Sequence, residues 1–115
     1  MKKNVKQDFD KQVSSEFWDI IKEMINLSDG RLRLASAEKD DSNDPAFGVA
    51  HFLKLDGKRI GKDIEVYLFL GQCIAGWHSA LDQFTKDMIS PISGALPEIP
   101  EKINEKIKRI RDKTA

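Results

Sequence analysis

The sequence predicts an α+β fold dominated by helix, and three observations carry that expectation. Phe9, Val13, Phe17, Ile20, Met24 and Leu27 recur at steps of three and four, the spacing of one helix face. Leu32 and Leu34 then alternate with Arg31 and Arg33, the period of a half-buried strand. Finally, Asp63–Ile89 (DIEVYLFLGQCIAGWHSALDQFTKDMI) is the longest apolar run, and a run that apolar organises a core.

Each element follows in order. The first stripe, widened by Trp18, Ile21 and Ile25, predicts a helix over about residues 8–28. Ser28, Asp29 and Gly30 form its stop signal, with Gly suited to a left-handed C-terminal position. RLRLASA (Arg31–Ala37) and FGVAHFLKL (Phe47–Leu55) read as two strands of an antiparallel hairpin, joined by the polar loop Glu38–Pro45. DGKRIGKD (Asp56–Asp63) reads as a turn, with Asp63 as a helix N-cap.

The central run fits two periods. Ile64, Val66, Leu68 and Leu70 alternate, so residues 64–70 as a third strand are the alternative. Ile64, Tyr67, Leu68, Gly71, Ile74, Ala75, His78, Leu81 and Met88 follow one helical face, and Val66, Leu70, Cys73, Trp77, Leu81 and Phe84 a second. One long helix over about 63–89 is therefore the main reading. Residues 90–100, with three prolines, read as a connection. Pro100 then opens a last helix carrying the narrow stripe Ile103, Ile107, Ile110. Residues 1–115 are expected to make one domain, with 1–7 and 114–115 frayed.

LGQCIAGWHSALDQF (Leu70–Phe84) resembles a helical segment of uncharacterised bacterial proteins that runs roughly V-G-D-A-L-H-N-L-R-S-A-L-D-H-L. Gly71, Ser79, Ala80, Leu81 and Asp82 match outright. The order of elements before the segment is similar too. The chain departs at the polar positions, where Ala75, Gly76, His78 and Gln83 replace His, Asn, Arg and His. What persists is the packing part, so the resemblance implies a fold and no activity.

Composition narrows the function. Apolar residues at 40% and charged residues at 33% describe a charge-rich surface over a modest core. Lys plus Arg equals Asp plus Glu at 19 each, which argues against nucleic acid and anionic lipid as general partners. A lone Cys73 allows no intrachain disulfide and suits a reducing compartment. No apolar stretch follows the basic start MKKNVKQDFDKQV, and the central run is too polar to span a bilayer, so the expected location is cytoplasmic, without a membrane.

The reactive groups form no convincing set. His78, Ser79 and Asp82 suggest a triad, but Ser79 follows His78 directly and points about 100° away around a helix. A structural His78–Asp82 bond across one turn is expected instead. The two histidines, His51 and His78, lack metal-ligand spacing, and no metal or cofactor is expected. Asp40, Ser42 and Asp44 have calcium-loop spacing, but Pro45 stands where Gly is needed and His51 where the bidentate Glu belongs. Cys73 is expected in the core.

The expectation is therefore a small binding or interaction protein without enzymatic activity, of the size of many phage-borne or accessory proteins. Its partner would be another protein or a second copy, docked on Trp18, Trp77, Ile103, Ile107 and Ile110. The alternatives are a nuclease- or hydrolase-like enzyme using His78 and Asp82, and a nucleic-acid or phosphate binder. The last would use the cluster Arg31, Arg33, Lys54, Lys58, Arg59 and Lys62.

Overall fold

A computed structural model describes residues 5–38 and 49–114. Helix α1 (Val5–Leu27) buries Val13, Phe17, Ile20, Ile21 and Met24, as the stripe requires. It starts inside the stretch expected to fray. Asp29 and Gly30 both take positive φ at its end. Between helix and sheet, the fully buried Ser28 hydroxyl donates to the Ile25 carbonyl (2.7 Å) and accepts the Leu32 N–H (3.0 Å). One side chain thereby satisfies a helix-end carbonyl and a strand-edge amide.

Strands β1 (Leu32–Glu38), β2 (Val49–Leu55) and β3 (Lys58–Ile60) form an antiparallel sheet in the order β1-β2-β3. The expected hairpin is present. A third strand is present as well, but at 58–60, within what the sequence suggested was a turn, and not at 64–70. The signal was Asp56-Gly57. Both residues take positive φ (51° and 83°), which fits the tight turn that returns a strand directly. Leu32 and Leu53 on the inner face are fully buried, with Leu55 and Ile60 packed beside them on the core.

Residues 64–95 are helical but not one straight rod. Helix α2 (Ile64–Phe69) runs into a π-helical turn (Leu70–Ile74), and Gly76 at φ 88° breaks the path before α3 (Trp77–Phe84). A second π turn (Thr85–Ile89) leads into α4 (Ser90–Ala95). The 3.6 period wins over alternation at 64–70: Ile64 and Tyr67, three apart, are fully buried, whereas Val66, Leu68 and Leu70 are half-buried. The π turn advances the helical phase by one residue. Cys73 and Ile74 therefore face solvent, correcting their expected place in the core, and Trp77 enters it.

The proline-rich stretch is also largely helical. Pro91 is the second residue of α4 and follows directly on the π turn, inside a run that is helical on both sides. The break between helices is confined to residues 96–97, and α5 (Glu98–Thr114) starts two residues before Pro100. Ile99, Ile103, Ile107 and Ile110 are buried where α5 lies on α1 and α3. At the centre, Phe84 stands edge-on to Phe17 (centroids 4.7 Å) and Tyr67 (5.6 Å).

Candidate functional site

The strand register places cations where spacing along the chain could not. Arg33 lies opposite Lys54, and Lys54 opposite Arg59, so three positive residues form a row across the three strands. All three are exposed and lie on the outer face, away from the helices. Adjacent strands are about 4.8 Å apart, so the row spans about 10 Å. Phe52, opposite Ala35, is the half-buried neighbour along β2. The Arg59 guanidinium lies 4.6 Å from its ring centroid and the Lys54 ammonium 6.0 Å, both within cation–π range. Asp63 accepts from Arg59 Nη2 at 2.6 Å at the edge of the row.

The other members of the basic cluster divide. Arg31 is structural: it donates to both Asp56 carboxylate oxygens (2.9 and 2.7 Å) and to the Ala95 carbonyl (3.2 Å). Its hydrogen bonds to Asp56 raise the guanidinium pKa and hold the Asp56 carboxyl below its ordinary range. Lys58 and Lys62 are exposed at the rim of the sheet. The cluster thus reduces to Arg33, Lys54 and Arg59 around Phe52, with two lysines beside them. Phe52 escaped the sequence reading. Alternation through HFLKL would have placed it with Lys54, on the polar side of β2.

A second arrangement missed in the sequence joins the inner face to α2. His51 Nδ1 lies 2.5 Å from Glu65 Oε2, and Glu65 Oε1 accepts the His51 main-chain N–H at 2.8 Å. Trp18, half-buried, meets the His51 ring edge-on at 5.5 Å. β3 ends opposite Leu53, so it cannot reach the His51 amide, and Glu65 closes that strand edge instead. Ser36 is the cross-strand partner of His51, but no hydrogen bond joins the two among the described residues. The pair therefore serves as an edge cap.

The expected His78–Asp82 bond is not formed. His78 is exposed, and Asp82 instead accepts from Arg111 Nη2 of α5. Trp77, Ile103, Ile107 and Ile110, expected as docking residues, are buried in the chain's own core. Trp77 packs on Gly71, where a Cβ would overlap the indole, and its Nε1–H donates to Asp10 Oδ1 at 3.0 Å. Burial alone would raise the Asp10 pKa. Hydrogen bonds from Lys6 and Trp77 outweigh it and hold the carboxyl below its ordinary value.

Deeper still, Tyr67 accepts the Lys62 N–H (3.0 Å) and donates to Asp87 Oδ2 (2.9 Å), while Gln83 donates to Asp87 Oδ1 (3.0 Å). Burial pushes the Tyr67 phenol well above its usual range, against the Lys62 bond, and Asp87 adds to the rise. This network is structural, since Tyr67 itself is fully buried.

Among the described residues no cluster of His, Cys, Asp and Glu could hold a metal ion. No helix there is long and apolar enough to cross a membrane. The calcium-loop spacing at Asp40, Ser42 and Asp44 lies outside the described residues. No family model, curated protein or solved structure matches the chain.

Proposed function

We propose that this protein is a small binding module with no reaction of its own, and that it holds a phosphate-bearing polyanion, a single-stranded nucleic acid, on the outer face of its sheet. The observation that carries the reading is the register Arg33–Lys54–Arg59 beside Phe52. Cations in a row meet a charged backbone, and an aromatic ring capped by a guanidinium offers a surface on which an unpaired base can stack. The neutral total charge gives no long-range pull toward a polyanion, so the reading rests on the local field of the row. A cytoplasmic location belongs to the same proposal and is supported by the unpaired thiol Cys73.

The test is a titration of a labelled single-stranded oligonucleotide against the full chain by fluorescence anisotropy. Phe52→Ala should weaken binding by about 1–3 kcal/mol per stacked base. Absence of binding at low salt would remove the proposal.

A further inference from the structure

The sheet has two edges, and they are treated differently. On the β2 side, β3 pairs with residues 53–55 and Glu65 takes the His51 N–H. Among the described residues, the β1 side is guarded at one end only. The Asp56 N–H donates to the Arg31 carbonyl at 2.8 Å, which sets the phase of the ladder. Pairs Arg33–Lys54, Ala35–Phe52 and Ala37–Ala50 then carry the β1–β2 bonds. Leu32, Leu34 and Ser36 direct their N–H and C=O groups outward. Ser28 takes the Leu32 amide, which agrees with that phase. Main-chain groups of Leu34 and Ser36 have no partner among the described residues, and both residues are exposed, Leu34 by 44%.

We propose that this stretch of β1 pairs with the same stretch of a second copy of the chain, antiparallel about a twofold axis at Ala35. The edge is self-complementary in that register. Leu34 faces Ser36 of the second copy and Ser36 faces its Leu34, so four N–H···O=C bonds form. Ala35 faces itself at a non-hydrogen-bonded position, where side chains come closest and a methyl group fits. Arg33 comes opposite Ala37, so no like charges meet across the seam. The product is a continuous six-stranded sheet, and the two rows of cations then share one outer face. That last consequence rests on the polyanion reading; the pairing itself does not.

Sedimentation across a wide concentration range, together with hydrogen exchange of the full chain, tests the pairing. The native chain should reach twice its 13.1 kDa mass. The Leu34 and Ser36 amides should gain protection as the dimer fills. Ser36→Pro removes an outward N–H without touching the β1–β2 ladder, and Leu34→Lys places a charge at the seam. Each should raise the dimer dissociation constant by about tenfold or more: the proline removes one main-chain donor on each side of the axis, and the lysine sets a charge on each side. A chain that stays monomeric at every concentration overturns the proposal. So does a dimer that survives both substitutions, or one whose Leu34 and Ser36 amides exchange freely. Oligonucleotide binding by a strictly monomeric chain would overturn the pairing and leave the binding face standing.

Discussion

At the scale of single residues, close approach decides more than polarity. Gly61 takes φ 64°, and a Cβ there would stand 2.7 Å from Met88 and 2.9 Å from the Tyr67 hydroxyl. Gly61→Ala should therefore cost about 1–3 kcal/mol from backbone strain alone, read as a lower melting temperature. Tyr67→Phe takes the acceptor from the Lys62 amide and the phenol donor from Asp87 Oδ2, while Gln83 still donates to Oδ1, at a cost of about 1–3 kcal/mol by denaturant unfolding. Asp10 gives a pH dependence of definite sign. Its folded pKa lies below the ordinary 3.8, so its stabilisation is fully present above that value and is lost as pH falls through the folded pKa. In Asp10→Asn, the part of the acid destabilisation below about pH 4 that belongs to this group should disappear.

The elements show which physical signals a sequence carries plainly. The first helix was legible because one stripe of apolar residues runs its whole length without a competing period. The last helix was legible for the same reason, and its four isoleucines are buried in the chain's own core. Spacing reveals that a face is covered and is silent about what covers it. Ile103→Ala should accordingly destabilise the fold by about 2–5 kcal/mol, measured by chemical denaturation. β3 was missed although Asp-Gly is a strong hairpin signal, because three residues are too few to show alternation. The central helix was legible as helix. Its π turns were not, since widening by one residue leaves no mark in composition, yet it decides that Trp77 is buried and Cys73 exposed.

At the scale of the whole molecule, the helices supply a core on one face of the sheet, and Arg33, Lys54 and Arg59 stand exposed on the other. The candidate site was half legible: the basic residues were visible in the sequence, but their alignment depends on the pairing of three strands. The same pairing removes Arg31 from the set, because its guanidinium braces the Asp56 turn. His78 and Asp82, close in sequence and four apart on a helix, do not meet because Arg111 from the distant α5 competes for the carboxylate. The most direct test of the account is the salt dependence of single-stranded oligonucleotide binding. Three phosphate contacts predict a slope of log K against log salt near −2 for a single strand. Arg33→Ala, Lys54→Ala and Arg59→Ala should each flatten it by a little under one. A slope of zero, or one unchanged by all three substitutions, would contradict the assignment of this face.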